Sequence, residues 1–208
     1  MKTLKPYKNR NDLLDILSEK QIKHACEVGV QAGIYSRQIL TSISSLKNLY
    51  LVDLWEEQEN YADGANSFDQ QEMLRRTQSN TNQWKHKVKI LKGYSTEMAS
   101  KIKDNTLDWC YIDARHDYIG CMEDITSYWP KIKSGGIISG HDYHDAVETK
   151  KYFLTTDKPD RDWSICSDGS INKGAVKGAV NDFASNYGLQ ILVSYAEKMW
   201  HTWSIIKP

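Results

Sequence analysis

The 208-residue chain has no apolar run approaching the length of a membrane span, no C-x-x-C pair and no net charge. A helical span needs about 20 consecutive apolar residues, so none is expected. The opening M-K-T-L-K-P-Y-K-N-R also lacks the apolar stretch of a signal peptide. A soluble, cytoplasmic protein is the expectation. Lys and Arg together number 27, as do Asp and Glu. With no overall field to gather them, neither nucleic acid nor an anionic membrane is expected as a partner. Cys26, Cys110, Cys121 and Cys166 are not spaced as a redox or zinc pair and read as reduced thiols serving as small apolar residues. There is no internal repeat and no low-complexity tract. The length suits one domain, residues 1–208, and is short for two.

What is present is a recurrence of short apolar runs at βα spacing. Leu13, Leu14, Ile16 and Leu17, behind the candidate cap Asn11, predict an amphipathic helix. Strands are predicted over 25–28, 49–52, 88–91, 109–112 and 137–139, each followed by helical or loop sequence, with an antiparallel pair over 189–194 and 203–206. Together these predict an α/β fold: a doubly wound, mainly parallel, seven-stranded sheet with an antiparallel C-terminal strand and helices on both faces. Two polar stretches, 55–84 (helical around 70–81) and 144–174, begin near the carboxyl ends of strands, where such sheets place ligands. They are the expected lid and acceptor-binding elements. Of the seven tryptophans, Trp109 and Trp129 read as core.

The turn after the first strand, E-V-G-V-Q-A-G, places Gly29 and Gly33 where the chain reverses into a helix. Glycine tolerates positive φ and lets a ligand approach the backbone. A dinucleotide site wants G-x-G-x-x-G, and the middle glycine is missing here. Glu27, two residues before Gly29, would repel a pyrophosphate but not the cationic end of S-adenosylmethionine. Asp53, closing the next strand, is placed to accept ribose hydroxyls. An adenosine cofactor is therefore expected, S-adenosylmethionine before NAD, with Trp55, just beyond Asp53, bordering the adenine.

A second constellation follows. L-D-W-C-Y-I-D-A-R-H-D-Y ends a buried strand in Asp113, His116, Asp117 and Tyr118, and I-I-S-G-H-D-Y-H-D ends the next in His141, Asp142, Tyr143, His144 and Asp145. Neighbouring parallel strands finish on one edge, so Asp113 and Asp142 converge there. Two carboxylates with imidazoles nearby suit a divalent cation, Mg²⁺ or Mn²⁺ before zinc. A hydroxyl is a poor nucleophile until its proton is removed, and His116 is the candidate base. Tyr118, Tyr143 and the Y-x-D-x-x-N residues Tyr61, Asp63 and Asn66 are candidate acceptor contacts. Simpler readings stand beside these: Asp113 as a helix cap, His141 and His144 as turn residues on the surface, and Tyr61, Asp63 and Asn66 as ordinary loop residues.

The ordered motifs E-V-G-V-Q-A-G-I-Y-S, V-D-L-W, K-G-Y-S-T-E-M-A, Y-I-D-A-R-H-D-Y, P-K-I-K-S-G-G-I-I-S-G-H-D-Y and W-S-I-I-K-P resemble those of class I S-adenosylmethionine-dependent methyltransferases. The small O-methyltransferases of methyltransferase family 24 are the nearest in pattern. The resemblance implies the Rossmann-like fold of that class, with Glu27, Gly29 and Gly33 around the methionine, Asp53 on the ribose, and Gly93, Tyr94 and Ser95 beside the adenine. It also implies Asp113 and Asp142 as metal ligands, His141 as a further one, and His116 as base, where catechol enzymes use lysine and macrolide-sugar enzymes histidine. The function expected is methylation of a small-molecule or glycan hydroxyl, a sugar such as rhamnose, by a monomer or homodimer. The alternatives are a catechol or phenol acceptor, or a non-catalytic cofactor-binding module.

Overall fold

Side-chain alternation in the central strands divides the core in two. In the computed structural model, which describes residues 4–208, strand β1 (His24–Val28) turns Ala25 to one face and Cys26 and Val28 to the other. Strand β4 (Leu107–Ile112) does the same with Trp109 and Tyr111 against Cys110 and Ile112. Helices α1 (Arg10–Glu19), α2 (Ile34–Ser42) and α3 (Gln70–Thr81) cover the first face, with Leu13, Leu14, Leu17 and Ile39 fully or almost fully buried. The helices α5 (Tyr118–Tyr128) and α7 (Ala175–Asn186), with the short α4 (Ser95–Ala99), cover the second.

The remaining strands are β2 (Asn48–Asp53), β3 (Val88–Lys92), β5 (Ile132–Gly140), β6 (Ile191–Val193) and β7 (Trp203–Ile206). Seven strands lie in the order β3-β2-β1-β4-β5-β7-β6. The first five pair in parallel, and β7 pairs antiparallel with both β5 and β6. Chain direction reverses its progress across the sheet between β1 and β4, the switch point at which an open α/β sheet leaves a crevice.

Three local expectations change. Helix α1 is capped by Asn9, whose side chain accepts from the Asn11 and Asp12 amides, so Asn11 lies inside the helix. Helix α5 is capped by Asp117, which accepts from the Gly120 amide, and Asp113 is left free of that duty. The polar stretch after His144 contains helix α6 (Ala146–Phe153), started by a capping box of Asp145 and Glu148. All four cysteines are buried and free. Among the described residues no helix is long and apolar enough to cross a membrane.

Candidate active site

At the switch point the carboxyl ends of β1, β2 and β4 enclose a cavity of about 850 Å³, a size usual for small-molecule sites. Its floor is the glycine turn. Gly29 has φ +85° and packs so closely on β4 that an added Cβ would lie 1.9 Å from the Asp113 carbonyl oxygen, so no other residue fits. Asp53 fixes the turn from β2. Its Oδ2 accepts from the Val30 and Gln31 amides at 2.8 Å each, and its Oδ1 from the Trp55 amide at 3.0 Å. Glu27 lies beneath, 2% exposed and accepting from the Ser36 hydroxyl. Burial, with Asp113 and Asp53 adding to it against the Ser36 bond, pushes its carboxyl up to about 8. At the other end Asp124 of α5 is equally buried, and burial raises it to about 7 against its bond from Ser95.

The opposite wall is made of side chains from distant segments. His116, in the β4–α5 turn, faces Asp63 Oδ2 at 2.7 Å through Nδ1, and Asp142 Oδ2 at 3.0 Å and Asp113 Oδ1 at 3.5 Å through Nε2. Trp163 stacks on the imidazole at 4.5 Å and donates from Nε1 to Asp63 Oδ1 at 2.6 Å. Burial disfavours charge on this ring, but Tyr61, Asp63, Asp113 and Asp142 outweigh it and raise its proton affinity well above the ordinary value. The carboxylates around it thus oppose the neutral imidazole expected of a base. Asp63 and Asp142 titrate lower than ordinary carboxylates although burial opposes it, Asp63 through His116, Trp163 and Arg161, and Asp142 through His141 and His116. Asp142 sits at φ +60°, a left-handed conformation that Asp tolerates better than most residues.

The two polar stretches close over the cavity as one latch. Arg115 donates to the carbonyls of Glu59 (3.3 Å) and Asn60 (2.6 Å), stacks on Tyr61 at 4.5 Å, and pairs with Asp117 at 2.6 Å. Asn60 in turn donates to the Ser167 carbonyl, and the Asp162 amide to the Ala62 carbonyl.

Glu27, Gly29, Asp53, Tyr61, Asp63, Tyr94, Ser95, Asp113 and His116 all border the cavity. Several expected contacts do not. Trp55 is turned by its positive φ of 45° into the core, 1% exposed, where it donates to the Gln31 carbonyl rather than bordering the cavity. Gly33 meets Thr77 of α3 instead, its absent Cβ admitting that helix at 2.9 Å, and Gly93 packs on Met98. Asn66 is tied to Gln58 within its own loop. Tyr118 donates to Asp182 and Tyr143 to Asn181, both on α7. Asp63 holds the histidine rather than offering its oxygens to an acceptor. His144 is buried, accepting from the Trp200 amide. Arg10, Asp124, Arg161 and Trp163 lie in none of the short motifs, and Tyr35 and Arg115 lie inside two of them without having been singled out as site residues.

Asp113, His141 and Asp142 bring one ligand atom each to within 4.8 Å of one another. Two carboxylates and one imidazole form a donor set suited to Mg²⁺ or Mn²⁺. His141 Nδ1 lies 3.0 Å from Asp142 and 3.9 Å from Asp113, whose charges raise its proton affinity against the effect of burial. The residues therefore fit a cation in competition with protons.

The fold is shared with solved methyltransferases. An O-methyltransferase from Bacillus cereus in complex with SAH is 15% identical over 95% of this chain and 80% of that one, with a TM-score of 0.59. TomG from Streptomyces achromogenes, an O-methyltransferase involved in tomaymycin synthesis and solved with SAM, is 15% identical over 96% and 80%, with a TM-score of 0.59. NodS, an N-methyltransferase from Bradyrhizobium japonicum, is 11% identical over 96% and 94%, also at 0.59. At such identities the likeness shows the fold alone, and it spans both acceptor chemistries. Comparison with curated proteins gives no match. The family profile described as a methyltransferase domain matches residues 26–143, more than half of the chain, from the middle of β1 past Asp142. The chain belongs to family 24 of the class I S-adenosylmethionine-dependent methyltransferases.

Proposed function

We propose that the protein is an O-methyltransferase acting as one unit over residues 1–208, which moves the methyl group of S-adenosylmethionine to a sugar hydroxyl of a small molecule or glycan. The observation that carries this reading is His116, set at the cavity wall across from the donor-side acids Glu27 and Asp53 and oriented by Asp63. Asp113, Asp142 and His141 would hold a divalent cation. Such an ion supplies Lewis acidity that eases loss of the hydroxyl proton.

The chain's own residues do the rest. Glu27 and Asp53 receive the amino-acid and ribose ends of the donor, and Gly29 lets it lie against the backbone. His116 accepts the acceptor's proton at Nε2. The carboxylates that raise its proton affinity border a cavity meant for a cationic donor, and offsetting their charge shifts the imidazole toward the neutral form a base needs. Methyl transfer then proceeds as an in-line displacement: the acceptor oxygen bonds to the methyl carbon while the carbon–sulfur bond breaks, its electron pair leaving on sulfur. Alignment is the main demand.

Polar loop groups near His116, among them Tyr61, Gln58 and Arg115, support a sugar. Ile34 and Phe68, exposed at the cavity, favour a second reading, an aromatic hydroxyl of the catechol or phenol type. The test is release of S-adenosylhomocysteine across a panel of glycosides and catechols, with and without EDTA and added Mg²⁺ or Mn²⁺. Metal-dependent turnover on a glycoside is expected. Turnover confined to catechols would sink the sugar reading, and indifference to EDTA would remove the cation.

A further inference from the structure

Two guanidiniums border the His116 end of the cavity, and only one of them is spent. Arg115 gives Nε to Asp117 at 2.6 Å and its terminal nitrogens to Gln58, Glu59 and Asn60. Arg161 stands otherwise. Its hydrogen bonds among the described residues are main-chain, the amide donating to the Lys158 carbonyl at 3.3 Å and the carbonyl accepting from Lys150 Nζ at 3.4 Å. Among the same residues the guanidinium has one ion pair, with Asp63 Oδ1 at 3.6 Å, too long for a hydrogen bond. Asp63 is itself engaged: Oδ1 accepts from Trp163 at 2.6 Å, and Oδ2 faces His116 at 2.7 Å and Tyr61 at 3.3 Å.

Arg161 is nevertheless held in place. Lys150 of α6 also donates to the Pro159 carbonyl at 3.0 Å, and the Asp162 amide to the Ala62 carbonyl at 2.9 Å, so the segment is pinned on both sides. The guanidinium lies over the Phe153 ring at 5.6 Å, within cation–π range, and against Gly64, where an added Cβ would come 3.0 Å from Nη2. A positioned cation with unspent donors at a cavity wall suits an anion, and its planar fork matches a pair of oxygens.

Charge narrows the class of anion. More acids than cations border the cavity, so a phosphate, carrying about −1.5 to −2, would meet more repulsion than one guanidinium offsets. A carboxylate carries a single charge, which it can balance. The anion's owner follows from Asp63, which lies against both Arg161 and His116: it is the molecule whose hydroxyl His116 serves, not the donor at the glycine turn across the cavity.

We propose that Arg161 selects a methyl acceptor bearing a carboxylate near the methylated hydroxyl, a uronic acid where the acceptor is a sugar. The assignment rests on the O-methyltransferase reading above and applies to either acceptor class.

The test is steady-state release of S-adenosylhomocysteine, with Mg²⁺ or Mn²⁺ present, on acceptor pairs that differ in the carboxylate: methyl glucuronide against methyl glucoside, and 3,4-dihydroxybenzoate against catechol. Methyl glucoside 6-phosphate adds a phosphate arm. Within the pair that turns over, kcat/KM should favour the carboxylated member about 10- to 100-fold. In Arg161→Met that ratio should fall toward one through a rise in KM for the carboxylated member, and calorimetric binding of that member to protein saturated with S-adenosylhomocysteine should weaken by a like factor. Arg161→Lys should recover part of both. A wild-type ratio near one overturns the proposal and leaves the O-methyltransferase reading standing. So does a loss of kcat in Arg161→Met shared equally by both members, which marks Arg161 as a prop for Asp63. Preference for the 6-phosphate overturns the carboxylate assignment in favour of phosphate. Turnover on neither pair by protein that binds S-adenosylhomocysteine overturns the proposal as well, whereas protein that fails to bind it refutes the donor reading itself.

Discussion

Between Gly29 and Asp53 the cavity wall is largely main chain, arranged by one continuous strand–turn–helix–strand unit in which a single carboxylate gathers three amides. Around His116 the wall is side chain, and its parts come from the 54–69 loop, the β4–α5 turn, the end of β5 and the stretch after α6. The first half is set by local sequence and survives as long as the sheet does. The second exists only when four remote segments have docked. Substitutions in the two halves should therefore fail in different ways.

The largest effects separate them outright. Gly29→Ala should cost at least about 3 kcal/mol, since a Cβ there adds both a positive-φ penalty and a clash with β4 backbone; denaturant unfolding measures it. His116→Ala should instead cut turnover by about 10²–10⁴-fold, with binding of S-adenosylhomocysteine intact. Asp113→Ala should abolish turnover as well. Full activity in either variant would refute the proposed chemistry.

Asp53→Ala comes next. It removes the acceptor of three amides together with the proposed ribose contact, and affinity for S-adenosylhomocysteine should fall about 10- to 100-fold by calorimetry. If affinity held while turnover fell, the division between the two halves would be wrong.

Glu27 gives a pH test. Its folded carboxyl titrates near 8 against an ordinary 4.5, so in that window the folded state binds more protons than the unfolded one. Its stabilisation is intact below about 4.5 and erodes as pH rises toward 8, by up to about 1.4 kcal/mol per pH unit. Glu27→Gln should flatten that slope in unfolding curves taken across the window. The smallest effect belongs to Trp163→Phe, which keeps a ring against His116 but removes the donor to Asp63. A fall in kcat of roughly tenfold or less, with cofactor affinity unchanged, is expected.

The same contrast explains what could be read from sequence. The alternation of β1 and β4, the closing antiparallel pair and the glycine turn are local patterns, and the sheet follows them. Asp53 and Gly29 were legible because strand ends and turns are. Trp55 was misplaced because only its neighbour's position, not its left-handed φ, is visible in the chain. Asp63 was noticed for its spacing to Tyr61 and Asn66, yet its partner His116 lies 53 residues away, and no periodicity links them. Helix α6 could have been found, for Asp145 and Glu148 spell a capping box. Arg10 carries no such mark, and only the packing of α1 against α2 reveals what it faces.

The Arg115 latch bears on how the cavity opens. Its guanidinium ties the carbonyls of Glu59 and Asn60 to the β4–α5 turn, and the same loop lines the cavity through Glu56, Gln58, Tyr61 and Asp63. If product leaves past that loop, these hydrogen bonds would break and re-form once for every methyl group moved. Unlatching of this kind belongs to the microsecond-to-millisecond range and often limits turnover. A rate that slows with solvent viscosity, and that quickens when Arg115 is shortened, would mark departure of product rather than methyl transfer as the slow event.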